Sequence, residues 1–407
     1  MKILLAHNFY GSQAPSGENA VYEAERDLLR ARGHEVLEFT RRSDEIRGRG
    51  AAGLLQGAFS TVWNPFSAEG LRRLIRRVRP DILHAHNTFP LISPSIYWAA
   101  HGLRVATVLT LHNYRTFCAA GIPLREGLPC TLCLDKKSVI PALRFGCYRG
   151  SRLATLPMAS AIALHRSLGT WQHQIDAFIA LTTFQRDKMV AAGLPAAKVH
   201  VKPHFYATPP VPLRWEEREN KVVYLGRLGV EKGLNFLLDA WYLWGSEAPH
   251  LEIIGDGPDH SLLKAKIIAT GMQEKISLVG QVAFADAQRR LAKARLLILP
   301  SICYEGFPMV IREAFALGVP VAGSRLGSIP CIIEEKRTGV LFTPGDARDL
   351  LRATQEVWAD SSALSRIAHA ARFEFERKYS AAENFASLMA IYAAARSNLN
   401  FDQAAKT

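Results

Sequence analysis

The chain has 407 residues, 48% of them hydrophobic, and a formal net charge of +13. That length and apolar content predict two ordinary domains with a core each, and exclude a disordered or low-complexity chain. No run reaches the roughly 18 uninterrupted apolar residues of a spanning helix, and no solenoid-type repeat is present.

In chain order, Lys2–Ala6 reads as a short apolar strand. Met1-Lys2 leads straight into it, so the sequence predicts no signal peptide and a cytoplasmic protein. A loop rich in Gly, Ser, Asn and Pro follows from His7 to Asn19, then a helix from about Ala20 to Arg32, stopped by Gly33, and a strand from Val36 to Phe39. Leu71-Arg72-Arg73-Leu74-Ile75-Arg76-Arg77-Val78 places apolar residues at helical spacing with arginines opposite. Either the stripe packs inward and the arginines are solvated, or the cationic face meets an anionic surface. Asp81–His84 and Val105–Leu111 read as two further strands. The first precedes His86-Asn87, and the second precedes His112-Asn113-Tyr114-Arg115.

An insert over residues 115–175 carries four cysteines: Cys118, Cys130, Cys133 and Cys147. Cys130-x-x-Cys133 with two outer cysteines is compatible with a structural Zn site, and equally with unligated thiols in a polar insert. From Val139 to Leu181 arginines alternate with large apolar residues, a second candidate for membrane contact. The domain boundary is expected between His204 and Glu219, where Pro209, Pro210 and Pro212 interrupt a polar stretch. Residues 1–205 hold 26 Lys and Arg against 14 Asp and Glu, a net +12, whereas residues 206–407 hold 24 against 23, a net +1. The excess predicts an anionic membrane surface as partner for the first half. With no recognised nucleic-acid motif present, nucleic acid is not expected.

In the second half, Val222–Leu225 reads as a buried strand that breaks at Gly226 and exposes Arg227 and Lys232 on a loop. Two cations after a strand suit a pair of phosphates. Leu251–Ile254 is a second strand, ending in Gly255-Asp256-Gly257-Pro258. Ile276–Val279 is a third. Residues 305–318 read Glu-Gly-Phe-Pro-Met-Val-Ile-Arg-Glu-Ala-Phe-Ala-Leu-Gly. Pro308 suits a first helical turn and Gly318 its end. The N-terminus of that helix could hold a diphosphate. Glu305 lies in the loop before it and Glu313 on it, about 12 Å further on if all eight steps were helical. Two carboxylates so placed fit the hydroxyl groups at the two ends of a nucleotide sugar. The last helices are predicted over Ala363–Tyr379 and Ala381–Arg396, with a frayed tail from Ser397. Strands alternating with helices give an α/β class with parallel sheets wound on both faces.

Gly-Arg-Leu-x-x-x-Lys-Gly, then Gly-Asp-Gly-Pro, then Glu-Gly-Phe-Pro-x-x-x-x-Glu-Ala resemble the donor half of a family 4 glycosyltransferase. The resemblance implies the GT-B fold, two Rossmann-like domains facing across a cleft. Residues 1–205 would bind the acceptor, 206–379 the nucleotide sugar, and a helix over 380–397 would cross back to the first domain. It implies contact of Glu305 with the transferred sugar, ribose binding by Glu313, and neutralisation of the diphosphate by Arg227 and Lys232. Gly226, Gly306, Phe307, Met309 and Val310 would line the sugar and phosphates, and the base would lie near Val282. In the first half, Ser16-Gly17-Glu18-Asn19 resembles the family's Gly-Gly-x-Glu element with one glycine replaced by serine. Only Gly17 is carried over as a diphosphate contact. His112 would face the donor sugar and the reactive centre.

The implied activity is transfer of a hexose-type sugar from a nucleotide-diphosphate sugar to a saccharide or lipid-linked acceptor. Retention of configuration is expected, in cell-envelope polysaccharide or glycolipid synthesis at the inner face of the membrane. No cofactor is required by this chemistry. A catalytically inactive binding subunit and another GT-B enzyme, such as a sugar-nucleotide epimerase, are the alternatives.

Overall fold

A computed structural model of the protein describes residues 1–11 and 16–404, the last four by backbone alone. Contacts divide it into two units. One comprises Met1–Pro123, Thr131–His204 and the C-terminal segment from Asn384; the other comprises Leu124–Cys130 and Phe205–Glu383. The strands are β1 (Lys2–Phe9), β2 (Glu35–Arg42), β3 (Ile82–Asn87), β4 (Ala106–Thr110), a two-residue-stranded hairpin β5 (Leu124–Arg125) and β6 (Leu128–Pro129), β7 (Ala177–Ala180), β8 (Val199–Val201), β9 (Lys221–Leu225), β10 (His250–Ile254), β11 (Ile276–Gly280), β12 (Leu296–Leu299), β13 (Val321–Ser324) and β14 (Gly339–Phe342).

The first unit holds a parallel sheet in the order β2-β1-β3-β4-β7-β8. Its central strands are buried along their length, as parallel strands covered on both faces must be. The chain leaves β1 toward one edge and returns on its other side as β3, so strand order reverses between them. Ligands of open α/β sheets gather at such a point, outside the carboxyl ends of the strands. The C-terminal helix Ala381–Ala404 sets Leu388, Ile391, Tyr392, Ala395 and Leu399 into the core beside Ile3, Leu5, Ile82, Val108 and Ile179. The tail expected to fray from Ser397 therefore continues as helix: Leu399 is buried and holds it down.

The second unit has the order β11-β10-β9-β12-β13-β14, again all parallel, with its reversal between β9 and β12. Trp241, Leu237, Leu251, Ile253, Ile298 and Phe342 form the centre of its core.

Several boundaries differ from the sequence reading. β1 runs on to Phe9, and the first helix begins at Gly17, not Ala20. The connecting loop is thus shorter than His7–Asn19, and its residues 12–15 lie outside the described residues. His86 and Asn87 belong to β3 itself.

Candidate active site

The loops leaving β9 and β12 flank the reversal point of the second sheet, and this brings Lys232 and Glu305 together. Lys232 Nζ donates to Glu305 Oε1 at 2.7 Å, and Ser301 Oγ donates to the same oxygen at 2.7 Å. Gly233 makes the approach possible. Its φ is +68°, and a Cβ there would stand 2.1 Å from the carbonyl oxygen of Pro300, so only glycine lets the first loop lie against the exit of β12. Ser328 Oγ donates to the Glu305 carbonyl at 2.9 Å. Burial opposes the charge on both members of the pair. The facing ammonium nevertheless holds the Glu305 carboxyl below its usual range, and the carboxylate raises Lys232 above its own. Both are charged at neutral pH.

Arg227 lies on the same loop, which Tyr224 steadies by donating from its hydroxyl to the Arg227 carbonyl at 2.8 Å. The guanidinium is 64% exposed and 3.9 Å from Glu231. Unlike Lys232, it is a cation held in solvent reach.

Glu313 is buried on the helix Met309–Ala316. Its Oε2 accepts from Gln288 Nε2 at 3.0 Å and its Oε1 lies 3.4 Å from Arg312. Burial dominates here, raising its carboxyl above the usual value despite Arg312. The helix starts only at Met309, after Pro308 in extended conformation. Four helical steps therefore separate Met309 from Glu313, about 6 Å along the axis, in place of the longer span allowed above. Phe307 is buried edge-on against Tyr379, with ring centroids 5.9 Å apart. Gly306 precedes it, and Met309 and Val310 form the half-buried first turn, in which the Ile311 N–H donates back to the Pro308 carbonyl at 3.0 Å. Gly226 directly follows β9. Val282 is half-buried between β11 and the helix Phe284–Ala292.

The first unit carries a second constellation at the carboxyl ends of its strands. His112 Nε2 lies 3.1 Å from His86 Nδ1, and His86 Nε2 stands 3.3 Å from Glu25 Oε1. Glu25 Oε2 accepts from Lys202 Nζ at 2.7 Å, and both side chains are buried. Burial works against the Glu25 charge, yet Lys202 and the facing imidazoles hold its carboxyl well below the usual carboxylate range. A carboxylate at that place favours the proton on His86 Nε2. His86 Nδ1 then accepts from the Nε2–H of His112. Burial, with His204 stacked at 5.2 Å and His86 beyond, keeps His112 neutral.

Gly17 opens the first helix, exposed. Its neighbour Glu18 accepts from Asn113 Nδ2 at 2.8 Å, tying the helix start to the loop that carries His112. Around that loop a cavity is lined by His86, Phe89, His112, Arg115, Met158 and His165.

Glu25, Lys202, Ser301 and Gln288 were not singled out in the sequence. Glu25 alone left a signal there: it falls on the buried stripe Val21, Tyr22, Glu25, Leu28, Leu29 of its helix, where a charge requires a partner.

The insert brings three of its four cysteines near one another: burial first, with Cys133 and Cys147 close by, pushes the Cys118 thiol up. Cys133 packs among Ala119, Ala142, Met158 and Ile162, with Cys147 against the same apolar cluster. Among the described residues, the group whose ligand atoms do converge is Glu25, His84 and His86. Lys202 already supplies the cation there, and His84 is bonded to the Tyr392 hydroxyl and to Thr110 Oγ1, each at 2.8 Å, so it is a poor metal cage.

Comparison with known proteins agrees with this layout. Residues 17–208 match the family model Glycosyltransferase Family 4, and residues 219–360 match Glycosyl transferases group 1. The amylovoran biosynthesis glycosyltransferase AmsK of Erwinia amylovora is 26% identical over 216 residues, 51% of this chain and 53% of that protein. The lipopolysaccharide 1,6-galactosyltransferase of Salmonella typhimurium is 28% identical over 183 residues, 43% of this chain and 50% of that protein. The chain spans about half the length of the curated relatives it matches. Among solved structures, Anabaena Alr3699/HepE in complex with UDP superposes with a TM-score of 0.65 at 18% identity, covering 97% of this chain and 100% of that one. The lipopolysaccharide outer core galactosyltransferase WaaB does so with 0.60 at 16%, covering 100% of each. At these identities the likeness establishes the fold, two Rossmann-like units of the GT-B kind.

Proposed function

Since the chain belongs to the family 4 glycosyltransferases, we propose that it transfers a hexose-type sugar from a nucleotide-diphosphate sugar to a saccharide or lipid-linked acceptor, with retention of configuration. Synthesis of a cell-envelope polysaccharide or glycolipid is the setting this reading assigns. The relatives AmsK and the Salmonella galactosyltransferase, named for such products, support it. The observation that carries the proposal is the Lys232–Glu305 pair at the reversal point of the second sheet, in the loop that leads into the helix bearing Glu313.

Charge grows on the diphosphate as the sugar leaves, so catalysis here consists of fixed positive ends aimed at that charge. Lys232 is one, held in place by Glu305 and Ser301. Arg227, held in solvent reach, is a second. The N-terminus of Met309–Ala316 is a third. Glu305, with its second oxygen, and the buried Glu313 accept from the hydroxyls of the sugar and the ribose. Neither is assigned as nucleophile or base; the departing phosphate takes the acceptor proton. The family resemblance assigns Gly17 to the diphosphate, Val282 to the base and His112 to the transferred sugar. None of these steps calls on a metal. The excess of cations in residues 1–205 favours work at an anionic membrane surface, on its inner face. No described helix is long and apolar enough to cross a membrane.

The test is a screen of UDP- and GDP-sugars for protection of the protein against thermal unfolding, followed by product analysis with the protecting donor. One nucleotide sugar should raise the unfolding midpoint and be consumed. Absence of both protection and turnover across both series would refute the assignment.

A further inference from the structure

The helix Gly50–Val62 is turned inside out. It buries Gly53, Gly57, Ser60 and Thr61, while Leu54, Leu55 and Phe59 are 70%, 62% and 75% exposed. A surface helix ordinarily does the reverse, with large apolar side chains inward. The small inward face is dictated by close packing. A Cβ on Gly53 would stand 2.1 Å from the carbonyl oxygen of Ile46, so the helix lies against Asp44–Arg47 with no room for a larger residue. Nothing in that packing requires leucine and phenylalanine on the outer face. Phe66, in the first turn of the next helix, Pro65–Val78, is 86% exposed.

Single exposed apolar residues are ordinary. Four such exposed side chains within residues 54–66 are a concentration of the kind that marks an interaction surface. From Gly50 to Ala68 the sequence contains no Asp, Glu, Lys or Arg. Cations stand on both sides of this uncharged stretch. Arg47 and Arg49 are exposed before it, and Arg73, Arg76 and Arg77 are exposed after it. Glu69 engages Arg72 and Arg73, and Asp44 lies 3.6 Å from Arg47. An apolar centre with cationic flanks is complementary to one partner above others, a bilayer with anionic headgroups.

We propose that Gly50–Phe66 is a membrane-docking element that lies in the interface plane, with Leu54, Leu55, Phe59 and Phe66 entering the boundary between headgroups and acyl chains. Arg49, Arg76 and Arg77 meet lipid phosphates at its edges. The proposal deepens the membrane part of the reading above by assigning its carrier, and does not depend on the donor chemistry.

Flotation of the full chain with vesicles of phosphatidylcholine alone, and of phosphatidylcholine mixed with phosphatidylglycerol, tests it. The wild type should float with the mixed vesicles. The variant Leu54→Gln/Leu55→Gln/Phe59→Gln should bind them at least about tenfold more weakly and keep its thermal midpoint, because all three side chains are exposed. Arg76→Gln/Arg77→Gln should reduce the preference for mixed over neutral vesicles. Equal flotation of the wild type and the triple variant overturns the proposal, as does failure of the wild type to float with either vesicle. A wild-type dimer that the triple variant converts to monomers, with no vesicle binding, also overturns it, since the face then belongs to a second copy of the chain. Donor consumption is measured alongside. A wild type that floats as described but consumes no donor contradicts the transferase reading while leaving this one standing.

Discussion

Lys232 and Glu305, 73 residues apart in the chain, meet at 2.7 Å where the loops after two neighbouring parallel strands converge. The pair does two things at once. It fixes an ammonium at the one place in the second sheet where a ligand is expected, and it leaves the carboxylate one oxygen for another donor.

Replacing Lys232 by alanine removes a positioned cation and leaves Glu305 without its counter-charge. Transfer should fall by about 100-fold or more. Stability should fall by at most about 3 kcal/mol, because both side chains keep some contact with solvent and the full cost of a stranded buried charge is not reached. A kinetic assay with saturating donor and a urea titration check the two parts. Arg227→Ala should cost activity with a urea midpoint close to wild type, since its guanidinium is solvated.

Donor affinity should depend on the ionisation of Glu313. Burial raises its carboxyl above the usual value, so the proton returns at a higher pH than for an ordinary glutamate. An ionised carboxylate accepts from two ribose hydroxyls, and a protonated one does not. The dissociation constant of the donor should therefore rise on acidification, beginning above pH 4.5. Titration calorimetry across that range should show the rise in the wild type and a weak but flat profile in Glu313→Gln.

In the first unit, His86→Leu should remove the acceptor for the Nε2–H of His112. Activity should drop by about tenfold with little change in donor affinity, as expected for the loss of a supporting hydrogen bond. Nitrogen-15 NMR of the imidazoles should show the His112 tautomer change in parallel; an unaltered tautomer would separate the two residues. Glu25→Ala strands the Lys202 ammonium and should cost about 3–5 kcal/mol in denaturant unfolding. Glu25→Leu/Lys202→Met should recover much of it.

Acid should destabilise the protein early. Burial lowers His7 to about 3 and His165 to about 4, and holds His84 and His112 well below 6.5. These groups are neutral when folded and bind protons near 6.5 when unfolded. The unfolded state therefore takes up more protons as pH falls below 6.5, and stability is lost by about 1.4 kcal/mol per pH unit per group until each folded value is reached. The depressed carboxyl of Glu25 adds to the loss below its usual 4.5. Urea midpoints should stay nearly level from pH 8 to about 6.5 and fall from there to pH 5; a flat profile below 6.5 would contradict the neutral, buried state of these imidazoles.

The residues of the donor loops were legible because their information is local. A strand, a glycine break and a cation within a dozen residues of Val222 identify Arg227 and Lys232, and Glu305 and Glu313 bracket a helix start. What was not legible depends on distant partners. Glu25 and Lys202 are 177 positions apart and each reads alone as a surface charge. Of the four cysteines, Cys133 and Cys147 share an apolar cluster with Ala119, Met158 and Ile162, a packing that the sequence spacing does not convey. The helix Gly50–Val62 escaped notice because its apolar stripe, with no charged face opposite, gave no amphipathic signal of the usual kind.

The most direct measurement of the central claim is binding of the protecting nucleotide sugar to the wild type, Lys232→Ala and Glu313→Ala by calorimetry, each variant first shown to be folded. The account predicts tight binding to the wild type and a loss of about tenfold or more in each variant, because both side chains hold one ligand. Wild-type affinity in either variant would contradict it.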